Sequence, residues 1–346
     1  MEIDLDTFLT ALYMVVDDVY RTQFAAAKPS RPGVKPTMSD SEVLTVAVLA
    51  QWQQNRSERG FVAYVTQHWR RYFPTMLSQS AFNRRVRDLA SVLGQLGPTA
   101  IRQIAPVLLV SAYEVLDGVP VPLMRRQRGR RHRLFGAEAG IGCGGTDRDW
   151  YYGVELVTAV TASGIITGFV LSPANTEERW AVDALLRWRD NPFAAVPTAL
   201  PLASVLGPAH RRRGNRLGPT GPISGCLSAG QAVGEGYLAD EGERGDAWVR
   251  HWFDDYGAAV LTPSAFTQGF PADQQRAADR YIHGLRQVIE TVNGVLTAVF
   301  GLKFPRARTF WGLRARLGAK VAALDLAVGL NHLFARPTFV IFNPLG

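Results

Sequence analysis

Cysteine is nearly absent: Cys143 and Cys226 are the only two in 346 residues, and neither belongs to a Cys-x-x-Cys pair. That scarcity excludes a disulfide framework and a zinc ribbon. Long hydrophobic runs are missing too. No stretch approaches the roughly 20 uninterrupted apolar residues that cross a bilayer, and Met1-Glu2-Ile3-Asp4-Leu5-Asp6 is acidic where a secretory leader is basic. These features predict a cytoplasmic, nucleoid-associated protein with no membrane partner. There is no Gly-x-x-x-x-Gly-Lys phosphate loop, so ATP is not implied, and no Gly-x-Ser-x-Gly elbow of a serine hydrolase. Acidic charge is also in deficit, with 30 Asp and Glu against 38 Lys and Arg, a formal charge of +8. Such a balance favours polyanionic partners, of which DNA is the natural one.

What is present is ample apolar content, 47% of the chain, enough for more than one core at this length. Residues 1–103 read as an all-helical N-terminal domain. Leu5, Phe8, Leu9, Leu12, Val15, Val16 and Val19 recur at helical spacing, and Ser39-Asp40-Ser41-Glu42 is a capping box that opens a second helix. A third helix is predicted over 60–72. Ser80 begins a fourth that sets Phe82, Val86 and Leu89 against Arg84, Arg85 and Arg87, an amphipathic basic helix able to face DNA. From about residue 107 the pattern turns to strands. One runs from Val107 to Leu116 and leads to Asp117; Trp150–Thr161 and Ile165–Ser172 form a hairpin around Ser163-Gly164; a helix follows Asn175. Residues 190–236 are a Pro-, Gly- and Ala-rich insertion. A short strand to Asp240, a helix over 246–256, a strand over 258–261 and helices over 279–300 and 311–334 complete residues 107–346. Strands capped by acids and interleaved with helices predict an α/β fold, a ribonuclease H-like mixed sheet with flanking helices.

Three carboxylates stand out: Asp117 and Asp240 at the ends of short apolar runs, and Glu290 within a helical pattern. Such a trio can hold two divalent metals, and paired Mg²⁺ or Mn²⁺ ions activate a water or hydroxyl and stabilise the attacking and leaving oxygens of a phosphodiester. Asp117 and Asp240 could equally be turn or cap residues, and Glu290 a solvent-facing acid. Basic residues complete the picture. Arg125, Arg126, Arg128, Arg130, Arg131 and Arg133, six arginines in nine residues, form a phosphate-binding loop. Arg306, Arg308, Arg314, Arg316 and Lys320 form a second basic face with Phe310 and Trp311 between them, aromatics that either stack on an unpaired base or anchor the last helix.

In order along the chain, Leu116-Asp117-Gly118-Val119-Pro120-Val121, Trp150 to Leu156, Leu171-Ser172-Pro173-Ala174-Asn175, Leu238-Ala239-Asp240-Glu241-Gly242 and Ile289-Glu290-Thr291-Val292 resemble the core of the DDE transposases of bacterial insertion sequences. The nearest type is the insertion-sequence family catalogued as nine-eight-two. The resemblance implies that Asp117, Asp240 and Glu290 are the catalytic and metal-binding triad, with Arg286 four residues before Glu290 on the same helix face. It implies a metal-dependent transposase that cuts the terminal inverted repeats of its element and joins the freed 3′-hydroxyl to target DNA, as a homodimer on double-stranded DNA. A non-catalytic DNA-binding derivative and a stand-alone nuclease are the alternatives. Gly118, Glu155, Glu241 and Glu243 depart from the family's Ser, Lys, Lys and aromatic, and His283 stands where Tyr is frequent. The acidic departures are expected to repel phosphate and weaken this copy.

Overall fold

A computed structural model describes residues 3–27, 36–52, 57–131, 135–144, 149–190, 236–240, 246–262, 271–342 and 344. The predicted insertion over 190–236, and Arg133, Glu241 and Glu243, lie outside the described residues apart from the insertion's two ends. The chain divides into two compact units. One comprises Met1–Leu109, Gly294–Pro305 and Trp311–Gly346; the other comprises Val110–Asn293 and Arg306–Phe310. Among the described residues no helix is long and apolar enough to cross a membrane.

The first unit is helical: α1 (Leu5–Val19), α2 (Asp40–Leu49), α3 (Glu58–His68), α4 (Gln79–Asp88) and α5 (Ala90–Ile104). Ser39 and Glu42 form the reciprocal capping box that the sequence announces at the start of α2. The last helix of the chain, α10 (Phe310–Leu333), is buried from Leu313 to Asn331 on nearly every side, as befits a helix that is apolar all round. It approaches α5 closely because Gly318 has no side chain, so that a Cβ there would lie 3.0 Å from the Gly94 nitrogen.

The second unit is a six-stranded mixed sheet. Its elements in chain order are β1 (Tyr113–Arg125), the short α6 (Arg126–Arg131), β2 (Gly140–Gly144), β3 (Asp149–Thr161), β4 (Ile166–Pro173), α7 (Glu178–Asp190), β5 (Gly236–Leu238), α8 (Asp246–Tyr256), β6 (Val260–Leu261) and α9 (Ala272–Ala298). β1 pairs antiparallel with β3 on one side and parallel with β5 on the other, and β6 continues the parallel side. β2 and β4 both pair with β3, β2 along Asp149–Gly153 and β4 along Val154–Val160. A helical region followed by a mixed sheet with flanking helices is the ribonuclease H-like arrangement.

Three local expectations are corrected. Val107–Leu109 is part of a single helical turn rather than strand, and the arginine run forms α6 from Arg126 to Arg131 rather than a loop. Asp117 is not at a strand tip: β1 continues through it to Arg125. Pro120 and Pro122 lie within β1 although proline cannot donate to a ladder. They are tolerated because β5 accompanies β1 only from Tyr113 to Val115, and among the described residues that edge of β1 has no strand partner farther on.

One face of the sheet buries Leu116, Val157, Ala159, Val170 and Tyr237 against Trp180, Leu185, Trp248 and Trp252 of α7 and α8. The end of α7 is fixed by a buried polar knot. Arg189 donates to Glu114 at 2.5 Å and to the Tyr237 hydroxyl at 3.0 Å, and the Thr167 hydroxyl also donates to Glu114. The Arg189 and Glu114 side chains are 3% and 0% exposed. Removing one partner strands a buried charge. Arg189→Met should therefore destabilise the protein by about 3–5 kcal/mol in urea unfolding, and adding Glu114→Gln should recover part of the loss. Equal stability of Arg189→Met and the parent would show that the pair carries no such role.

Candidate functional site

The tie between Arg189 and Glu114 sets the direction of α7. With its last turn at the start of β1, the helix runs back along the strand, and its first residue, Glu178, arrives over Gly118. A Cβ on Gly118 would lie 2.7 Å from Oε1 of Glu178 and 2.9 Å from Oε1 of Glu155. Glycine at 118 is thus what lets two glutamates meet over the residue that follows Asp117. Glu155 reaches the same place from β3, where it faces Pro120 on one side and Ser172 on the other.

The second contribution comes from α9. Asn293 donates from Nδ2 to Oδ2 of Asp117 at 2.9 Å, and Arg286 donates to Oδ1 of Asp240 at 3.0 Å. Asp240 is exposed, two residues beyond the end of β5. Its ion pair is formed by an arginine whose own side chain is only 11% exposed. At about 100° per residue, Arg286, Glu290 and Asn293 fall within an arc of about 60° on one helix face. The exposed Glu290 therefore lies on the same helix face as the two residues that bond the aspartates.

The electrostatics follow from crowding. Burial and the charge of Glu178 push the Asp117 carboxyl up to about 7, with Asp240 adding to the rise and Arg286 opposing it. Burial, then Glu178 and Asp117, push Glu155 up to about 8. Glu178 is raised as well, by burial first and by Asp240, against the Gly118 N–H and Arg286. Like charges in a poorly solvated place disfavour joint ionisation. The donor set is all oxygen, which suits hard divalent cations. Among the described residues, however, no three His, Cys, Asp or Glu side chains are arranged to hold one metal ion.

The sequence starts a helix after Asn175 and sets Glu155 among the acidic departures expected to repel phosphate; neither reading brings Glu178 and Glu155 together over Gly118, and Asn293 is not among the candidates. The only signal was the glycine after Asp117, whose missing side chain makes the room.

The expected DNA-binding residues are distributed unevenly. In the first unit, Arg84 and Arg87 are exposed on α4, while Arg85 is tied to Asp40 and to the Met38 carbonyl at 3.1 Å. Arg314 lies over the Trp311 ring. Arg316 is committed to Glu58 at 2.9 Å and to the Pro305 carbonyl at 2.7 Å. Lys320 is buried and donates to Gln51 and to the Phe300 carbonyl; burial lowers its ammonium to about 7. In the second unit, Arg125, Arg128, Arg131, Arg306 and Arg308 are exposed, and Arg126 is half-buried. The side chain of Arg130 is outside the described residues.

No protein-family model, curated protein or solved structure matches the chain. Its functional reading rests on this geometry and on the order of its sequence motifs.

The raised carboxyls have a pH consequence. Unfolded carboxylates release their protons near pH 4, whereas the folded ones hold theirs to about 7 at Asp117 and about 8 at Glu155. The unfolded state thus binds fewer protons in this window, and stability should fall as pH rises from about 4 to about 8. In the presence of a chelator, Glu155→Gln should flatten the fall in melting temperature across that window. A profile parallel to the parent's would show that the carboxylates are not coupled in this way.

Proposed function

We propose that the second unit is the catalytic domain of a DDE-type transposase, which cleaves the ends of a mobile DNA element and transfers the freed 3′-hydroxyl to target DNA with the help of Mg²⁺ or Mn²⁺, two ions in all. The observation that carries this reading is the face of α9 on which Arg286 and Asn293 bond Asp240 and Asp117 and which Glu290 shares. Three acids distant in sequence, from β1, from the segment after β5 and from a late helix, are thereby associated with one helix face of a ribonuclease H-like unit. The net charge of +8 suits a polyanionic substrate.

Asp117, Asp240 and Glu290 would hold the ions, and the crowding of Glu155 and Glu178 beside Asp117 adds negative charge that a cation relieves. Bound ions would supply activation of the attacking water or hydroxyl and stabilisation of the leaving oxygen. The chain's own residues prepare this. Asn293 orients the Asp117 carboxylate through Oδ2. Arg286 pairs with Asp240, and its guanidinium is of a kind that would suit a phosphate oxygen. The exposure of Asp240 and Glu290 leaves that side open to a duplex.

Asp117→Asn and Glu290→Gln should each abolish Mg²⁺-dependent cleavage of duplexes carrying the DNA ends that flank the gene, while changing duplex affinity by no more than a few fold. Loss of an ion ligand removes the chemistry without removing the basic surface. Undiminished cleavage by either variant would overturn the assignment. A strand-transfer product from the parent separates a transposase from a nuclease that only cuts.

A further inference from the structure

Trp150 is the second residue of β3 and is 54% exposed, a large apolar surface left in water where its successors Tyr151 and Tyr152 are buried. The guanidinium of Arg126 lies over its ring, 4.6 Å from the centroid. A flat indole has two faces, and with the cation on one of them the exposure belongs to the other face and the edge. Antiparallel pairing of Arg125 with Tyr151 brings the basic end of β1 and the start of α6 beside this ring. Arg125, Arg128 and Arg131 are exposed there, and within the described stretches 125–131 and 149–152 the one acid is Asp149. Among the described residues the Nε of Arg126 is buried with no acceptor, and the guanidinium stacks on the ring.

An exposed tryptophan stiffened by a cation and ringed by arginines matches one kind of ligand well. Base stacking on an aromatic is sequence-tolerant and contributes about 1–3 kcal/mol per base, while the flanking arginines track the phosphates. Paired bases inside a duplex do not offer a free face; an unpaired nucleotide does. We infer that Trp150, backed by Arg126 and flanked by Arg125, Arg128 and Arg131, is a stacking subsite for an unpaired nucleotide of a DNA strand. The subsite rests on DNA as the partner proposed above, and it requires none of the catalytic carboxylates.

The test uses the full-length protein, without divalent metal, and a duplex with a short single-stranded overhang carrying 2-aminopurine. Binding should quench the probe when it is unpaired and leave it unchanged when it is placed inside the duplex. Trp150→Ala should abolish the quenching and weaken overhang binding about tenfold, equivalent to about 1.4 kcal/mol, with an unchanged salt slope. Trp150→Phe should restore most of both. Because Trp150 is exposed, the melting temperature of the alanine variant should match the parent's, which separates lost stacking from lost fold. Arg125→Ala with Arg128→Ala should instead lower the salt slope by about 0.7 for each single-strand phosphate contact removed. Equal overhang affinity of Trp150→Ala and parent, or quenching that survives the substitution, overturns the subsite while leaving the transposase reading intact. Displacement of the overhang by polyglutamate as readily as by single-stranded DNA also overturns it, since the patch would then recognise charge alone. If the parent binds neither duplex nor overhang, the failure lies with DNA as the partner.

Discussion

Carboxylates crowd around a residue that has no side chain, and the second unit is organised to keep them there. Glu155 and Glu178 occupy the space that a Cβ on Gly118 would need, and Asp117, which precedes Gly118 on β1, feels the charge of Glu178. Bringing buried like charges together is unfavourable unless a proton or a cation compensates. The fold opposes their separation at both ends. The buried knot of Arg189, Glu114, Thr167 and Tyr237 fixes one end of α7, so its other end must deliver Glu178 over β1. On α9, Asn293 and Arg286 hold Asp117 and Asp240. Under the proposed function a hard cation would relieve this repulsion.

Much of the fold could be read in the sequence because its signals are local. The capping box of Ser39 and Glu42, the hairpin around Ser163-Gly164 and the helical periodicity of the last two helices depend on neighbours a few residues away. What escaped depends on partners far along the chain. β2 is a five-residue strand containing three glycines, whose pairing is decided by β3 rather than by its own propensity. The extent of β1 past Pro120 depends on where β5 ends. Lys320 resembles an exposed base on a helix, yet α10 is central to the first unit, and the Gln51 side chain and Phe300 carbonyl accept from its ammonium.

The site divides along the same line. Asp117, Asp240, Glu290 and Arg286 were legible as a spaced set of residue types, whereas Glu178 looked like any acid in a first helical turn, where the helix dipole favours negative charge. Glu155 was expected to weaken DNA binding from a position along the DNA path. It meets Glu178 over Gly118, and burial, Glu178 and Asp117 raise its carboxyl, so its charge belongs with these acids instead. A lysine there, the residue type that the family resemblance leads one to expect, would neutralise the cluster from within. Glutamate at 155 and glycine at 118 therefore belong together: the small residue admits the extra acid.

The central claim is that Asp117 and Asp240 share bound cations. Anomalous diffraction from crystals grown with Mn²⁺ tests it most directly. The expected result is anomalous density in direct coordination contact with the carboxylates of Asp117 and Asp240, with the Arg286 guanidinium withdrawn from Asp240. Crystals that hold Mn²⁺ elsewhere, or none at saturating concentration, with the Arg286 and Asp240 pair intact, would contradict it.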